Sequence, residues 1–368
     1  MAHSPRLRSR RALLTVAVVA MLATAGCTGG VLNAGGGGSG SGSAQLDSVP
    51  ASAEFVGYAD VDGMVSDDNL RALMNTALET QAEQSEYYDG PTSVEEMLNE
   101  AESTSDLSPN KFEDVTFFGA PGEQTATNAE QAGMIVTTDF TEDELVATLE
   151  ENGEELSEST YADTALYTYG FQGQNAMAPL GDGTFALGDE AAVKSVLDVE
   201  AGNEEALGGD LRTAYSNTDD GYVKFAMAVP QDQVPADQLD SQSPMNVSAF
   251  NSVEFVSGSF STSGSDVSMD MNMVTDSKAN GDRIDDLVDG ALQLYSGVGG
   301  EEVQEALDKL SVEQSGATVS VTFTDSVSNL EEYIEEMYST SASGSASASG
   351  SASASGSSSA SMTAAATA

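Results

Sequence analysis

Ser108-Pro109-Asn110-Lys111 has the spacing that brings a lysine amine beside a nucleophilic hydroxyl one helical turn away. The Ser-Asp-Asn and Lys-Thr-Gly partners of that chemistry do not follow, and Ser108 as a helix cap with Pro109 in the first turn explains the same residues. Asp276, Asn280, Gly281 and Asp282 imitate part of a calcium loop. Lys278, however, stands where an oxygen ligand is required, and Leu287 where the closing glutamate belongs, which rejects the loop. Asp60 and Asp62 read as neighbours on one strand face, and the doublets Asp67-Asp68, Asp219-Asp220 and Asp285-Asp286 recur in a chain with 60 acidic residues, where solvated surface is the default. Asn246-Val247-Ser248 is a glycosylation sequon. The single histidine is His3 and the single cysteine Cys27.

This inventory is narrow. If the first 26 residues are removed and Cys27 is acylated, the mature chain has no Ser-His-Asp or Cys-His chemistry and none of the usual zinc, copper, haem or iron-sulfur ligands. Carboxylates, hydroxyls, tyrosines and five lysines remain. The open enzyme classes are a Ser-Lys dyad, paired-carboxylate hydrolysis, and magnesium or calcium held by carboxylates. We expect no cofactor, no metal site and no catalytic residue.

The N-terminus points to export. Arg6, Arg8, Arg10 and Arg11 precede an apolar run from Ala12 to Ala25, too short for a bilayer span, which needs about 20 apolar residues. Leu22-Ala23-Thr24-Ala25-Gly26-Cys27 resembles the lipobox of bacterial and archaeal lipoproteins, with Thr24 where leucine is commoner. That resemblance implies lipidation at Cys27. Ser9-Arg10-Arg11-Ala12-Leu13-Leu14 resembles a twin-arginine export signal, with alanine in place of the usual phenylalanine. Gly35 to Ser43 is a Gly/Ser run, so residues 27–46 read as a lipidated cysteine and flexible tether, holding the domain roughly 25 Å from the anchor. Residues 339–368 are Ser/Ala/Gly low complexity and read as a disordered tail.

Four of the 12 basic residues lie in the signal, so eight face 60 acidic ones in the mature chain. Such a surface repels itself in dilute buffer and is screened at molar salt. Few lysines, no tryptophan and abundant Asp and Glu resemble the proteins of extreme halophiles, typically haloarchaea. Nucleic acid is excluded as a partner, since phosphate binding rests on clustered Lys and Arg.

The elements that must carry any site lie between Val49 and Tyr338. Phe55 to Val61 reads as a strand, and Leu70, Leu73, Met74, Ala77 and Leu78 follow helical spacing. Ser93 with Glu96, and Thr141 with Glu144, predict capping boxes, the second stapled by Phe140 onto Leu145. Helices are expected over 189–199 and 328–337. Four ordered matches suggest an internal duplication: Phe55–Ala59 with Tyr222–Ala226, Phe112–Phe118 with Phe250–Val256, Ile135–Asp139 with Met273–Asp276, and Leu156-Ser157 with Thr164 against Leu310-Ser311 with Thr318. Hairpins such as Thr164 to Tyr169 imply antiparallel pairing. The expected fold is therefore α+β, two related halves (47–209 and 210–338), each a mainly antiparallel sheet with packed helices.

Pro50 to Phe55 leading into a strand that ends at Asp60, the Asp182-to-Gly188 hairpin before a helix, and the duplicated layout resemble an uncharacterised family of secreted and lipid-anchored proteins, known only as a domain of unknown function. The resemblance implies fold and location, not chemistry. The functional expectation is a non-catalytic surface module, attached to membrane lipid through Cys27 on the outer face of a cell membrane, that binds an envelope protein or a small molecule. The alternatives are a solute-binding lipoprotein of a transporter and, behind it, a carboxylate-dependent hydrolase.

Overall fold

The computed structural model describes residues 45–83, 90–105, 107–122, 125–170, 173–230, 247–298 and 301–334 of the 368-residue chain. Strand β1 (Phe55–Asp60) ends where the Asp60 carboxylate accepts from the backbone N–H of Gly63 at 2.8 Å and starts helix α1 (Val61–Ser66). Gly63 allows this, because a Cβ there would stand 2.3 Å from an Asp60 oxygen and 2.7 Å from the Tyr222 ring. Asp67 repeats the device for α2 (Asp68–Glu83), accepting from Leu70 N–H at 2.8 Å. Helix α3 (Val94–Ser105) has half of its expected box. Ser93 Oγ accepts from Glu96 N–H at 3.2 Å, while the Glu96 carboxylate reaches back to Thr92 rather than to Ser93.

Strands β2 (Phe112–Gly122) and β3 (Thr125–Thr138) lead into α4 (Glu142–Glu151), whose capping box is complete, with Phe140 and Leu145 in one apolar cluster. Two hairpins follow, β4 (Ser157–Tyr161) with β5 (Thr164–Tyr169) and β6 (Asn175–Gly181) with β7 (Thr184–Asp189). The second turns on Asp182 (φ 49°) and Gly183 (φ 75°), the left-handed pair a two-residue hairpin requires. Helices α5 (Glu190–Glu200) and α6 (Gly209–Ser216) complete the first part. The second part runs β8 (Val223–Ala228), β9 (Val253–Ser263), β10 (Asp266–Thr275), α7 (Lys278–Val298), α8 (Glu301–Leu307), β11 (Leu310–Ser315), β12 (Thr318–Ser326) and a helix α9 over 327–334.

The fold is α+β and antiparallel. The expected separate sheets are in fact one sheet of twelve strands, ordered β11-β12-β10-β9-β8-β1-β2-β3-β7-β6-β5-β4. β1 pairs with β8, so the halves join by backbone hydrogen bonds instead of packing as separate lobes. Away from that seam the order β1-β2-β3-β7-β6 on one side repeats as β8-β9-β10-β12-β11 on the other, and β4–β5 is an extra hairpin of the first half.

The ladders set a different alignment from the one the sequence suggested. Thr138 N–H donates to Gly183 O as Thr275 N–H does to Ala317 O, and Asp139 N–H to Lys111 O as Asp276 N–H does to Ser252 O. Lys111 thus corresponds to Ser252, which moves the β2/β9 match by three residues. The β8–β9 ladder then makes Gly57 correspond to Phe225, one residue away from the sequence match. Hairpin β6–β7, not β4–β5, is the counterpart of β11–β12. A one-residue slip exchanges the faces of a strand, so these corrections decide which side chains are equivalent. The pseudo-twofold axis passes through the Gly57–Phe225 pair.

One face of the first half is covered by α5 and α6, through Val56, Tyr58, Ile135, Ala178, Ala186, Val193, Val196 and Tyr215. On the other face lie α4 over Met177 and Phe185, α7 over Met273 and Val319, and α2 with α9 over Phe260 and Val267.

Candidate functional site at the seam

A buried polar grouping lies where β1, β2 and β8 meet, on the α5/α6 face. Across the sheet, Thr116, Tyr58, Lys224 and Ser259 are directly opposite one another on successive strands, and Asp114 lies opposite Asp60 one step along. All four residues of that row are buried. Helix α6 lays Tyr215 over the row, with Lys224 Nζ 4.9 Å from the centre of its ring and 2.9 Å from Asp220. The cover on the other side comes from the segment preceding β1. Gln45 donates to Asp114 and, at 2.8 Å, to Thr137 Oγ1, and accepts from Thr116 Oγ1. Next to it Leu46 and Val49 are sunk in the core, Asp47 pairs with Arg212 at 2.7 Å, and Val49 O accepts from Leu207 N–H.

Burial raises the Asp114 carboxyl above the usual carboxylate range, with a smaller push from Asp60, against the bonds from Thr137 and Gln45. Asp60 is raised by burial too, opposed by the Gly63 N–H and supported by the charge of Asp62. Burial pushes both phenols up, Tyr58 further by Asp114 and Asp60 and Tyr215 further by Asp220 and Asp114. The phenols are thus neutral hydrogen-bonding groups and not bases. Among the described residues the hydroxyls of Tyr215 and Ser259 have no hydrogen-bond partner. The arrangement can hold protons and orient polar atoms. Its hydroxyl-to-carboxyl contact is Thr137 Oγ1 donating to Asp114 at 3.1 Å, while Lys224 is engaged by Asp220.

The sequence candidates are dispersed. Asp60 pairs with Asp114 and not with Asp62, because the strand stops at Asp60 and Asp62 already belongs to α1. Ser108 and Lys111 sit on a 3-10 turn with Pro109 first, but Ser108 makes no side-chain cap bond. Lys111 is turned away to Glu144 at 3.2 Å and over the Phe140 ring at 4.3 Å. Asp276 lies two residues before α7, and Asn280 and Asp282 lie near its start, where Asn280 donates to Asp276 and Lys278 to Asp282, both at 2.6 Å. Asp67 accepts from Tyr222 and Thr262 at 2.7 and 2.9 Å, and Asp220 serves Lys224. Asp285 and Asp286 fall along α7. No group of three or more His, Cys, Asp or Glu able to hold a metal occurs among the described residues. Arg10, Arg11, Cys27 and Asn246 lie outside the described residues. Sequence reading missed Gln45, Asp114, Tyr58, Tyr215 and Lys224. One signal was available: Lys224 is one of only five lysines, and it interrupts the apolar run Val223–Ala228.

No protein-family model matches the chain, and no curated protein matches it. Solved structures of TP0453, a treponemal protein, are similar in fold. Crystal form III shares 10% identity over 79% of this chain and 97% of that one, with a TM-score of 0.43. Crystal form IV shares 10% over 81% and 100%, with a TM-score of 0.42, and form I shares 9% over 80% and 97%, with a TM-score of 0.40.

Proposed function

We propose that the chain is a non-catalytic surface module, lipid-anchored through Cys27 on the outer face of a cell membrane, belonging to the secreted and lipid-anchored proteins that its sequence resembles and working in concentrated salt. The observation that carries this reading is the fastening of the segment that follows the Gly/Ser run. Gln45, Leu46, Asp47 and Val49 are tied to β2, β3 and α6 by side-chain bonds, an ion pair and full burial. A tether attached there loads the centre of the sheet, so the domain can be held at a membrane without fraying its first strand. No helix among the described residues is long and apolar enough to cross a membrane.

The alternatives gain less support. A hinged solute-binding protein needs a cleft between lobes, whereas β1 and β8 form a continuous ladder here. A carboxylate hydrolase needs two free carboxyl groups, whereas Asp60 caps α1 and Asp114 is bonded to Gln45 and Thr137. The test is Cys27→Ser in the native host. Release of the protein to the medium, or accumulation of the unprocessed form, is expected, and normal lipidation with membrane retention would refute the anchor.

A further inference from the structure

Beneath α4 the core of the first half is incomplete. A partly open cavity of about 70 Å³ lies between α3, α4 and the sheet, walled by Leu107, Leu145, Leu149, Met177, Phe185 and Leu187. The polar side chains at its wall are occupied elsewhere. Ser105 Oγ donates to Ala101 O, Thr138 Oγ1 to Lys111 O, Thr148 Oγ1 to Glu144 O, and Asn152 Nδ2 to Ser105 O and Thr148 O. The Tyr169 phenol, also in the wall, is pushed up to about 12 by burial, then by Glu154, and is neutral at ordinary pH. No charge therefore enters the cavity, and these four polar groups are not free to recognise a polar ligand.

In the second half the corresponding place packs against α7. The ladder correspondence puts Val312, Val319 and Val321 where Met177, Phe185 and Leu187 stand, and there Ile284 and Val288 of α7 close the packing. Apolar voids of roughly 150 Å³ in other proteins stay dry and take up benzene or xenon. Half that volume, open on one side, suits the tip of a chain better than a ring.

We propose that this cavity is a binding site for the terminal carbons of an alkyl chain, the rest of the ligand passing out through the open side. The site does not depend on the anchor at Cys27. Its recognition rests on the apolar side chains of the wall, so any compound ending in an unbranched alkyl group competes, whatever its head.

The Met177 methyl group reports on occupancy in the whole folded chain, because Met177 is buried in the wall while Met271, 40% exposed on the second half, serves as a control for surface partitioning. Titration of the ¹³C-methyl-methionine protein with 1-octanol in molar salt is expected to shift Met177 saturably and leave Met271 in place. Thr148→Leu, which directs a larger side chain into the cavity, is expected to weaken that response at least tenfold while preserving the rest of the methionine spectrum. Leu149→Phe provides the same test from the next position. Phosphatidylcholine vesicles and free octanoate, used as separate arms, distinguish a bilayer source of the chain from a free one, and saturable movement of Met177 by either supports the site. An unmoved Met177, movement of Met271 in parallel without saturation, or a full octanol response in both filled variants would overturn the proposal.

Discussion

The two halves of the sheet share a connectivity and differ in what covers them. On the face under α4 and α7 the correspondence is apolar for apolar: Met134 with Met271, Val136 with Met273, Phe185 with Val319, and Leu187 with Val321. On the opposite face it is small or apolar against polar. Ile135 corresponds to Asn272, Ala186 to Ser320, Ala178 to Glu313, Ala176 to Ser311, Gly133 to Asp270 and Gly188 to Thr322. The first half needs small residues there because α5 packs on them. In the second half the apolar clusters under α7 and α9 lie on the other side, and the polar row bonds to itself, Ser320 to Asn272 and Thr322 to Asp270, each at 2.6 Å. Among the described residues a three-layer and a two-layer arrangement therefore coexist on one sheet. The number of layers is written in alternate residues of three strands.

The largest test of this contrast is salt. Screening length grows from about 3 Å at 1 M to about 10 Å at 0.1 M, and the second half presents Asp270 and Glu313 on a sheet face where the first half has Gly133 and Ala178. Dilution of KCl from 3 M to 0.1 M is expected to unfold the domain, with amides of β10 and β12 losing hydrogen-exchange protection before those of β3 and β7. Equal protection of both sets throughout the dilution would dissolve the distinction. Next in size is a paired substitution. Ala186→Glu places a charge at a fully buried position under α5 and should cost at least about 4 kcal/mol. Ser320→Glu at the corresponding position should stay within about 0.5 kcal/mol at molar salt. Comparable losses in denaturant titrations would mean that the second face is covered after all.

The smallest effect concerns two carboxylates with opposite settings, Asp325 buried and Asp114 half-buried. Burial works to raise Asp325, but bonds from Lys309 at 3.0 Å, Ser326 N–H and Asn329 hold it below the ordinary range. Its contribution is present above the unfolded carboxylate range and is lost as pH falls through the depressed value. Asp114, raised by burial, behaves the other way, because the folded state then binds the proton more tightly and stability declines as pH rises through the raised value. Asp325→Asn should therefore lose on the order of 1 kcal/mol at pH 7, a deficit that closes in strong acid. Asp114→Asn should lose nothing at pH 7 and forfeit the wild-type gain on mild acidification. Parallel pH profiles for the two variants would contradict these assignments.

How far the sequence could be read follows from the same contrast. Local devices were legible because their parts are adjacent: the Thr141–Glu144 box with its Phe140 staple, the Asp182-Gly183 turn and the strand at Phe55 all form where they are expected. The duplication was visible too, but out of register. Only one face of each strand keeps its apolar character, and an alternating pattern read from short strands is satisfied equally well by a shifted copy. The β4–β5 hairpin drew the match that belongs to β6–β7 for the same reason. The seam was not legible. Asp60 and Asp114 meet only because β1 pairs with β2, and Lys224 joins them only because β8 closes on β1 from the other side. Nothing local to those residues specifies either pairing.

The β1–β8 seam also fixes an order of events. β1 is made about 170 residues before the strand that completes it, so during synthesis the first half can form β1-β2-β3-β7-β6 while the outer hydrogen-bonding groups of Phe55–Asp60 remain unpaired. A chain interrupted after α6 would carry that strand as an open edge. Since the axis through Gly57 and Phe225 relates β1 to β8 antiparallel, the most economical way to close such an edge is with β1 of another interrupted chain. Incomplete synthesis would thus favour pairs of first halves, and only the arrival of β8 makes the pairing internal.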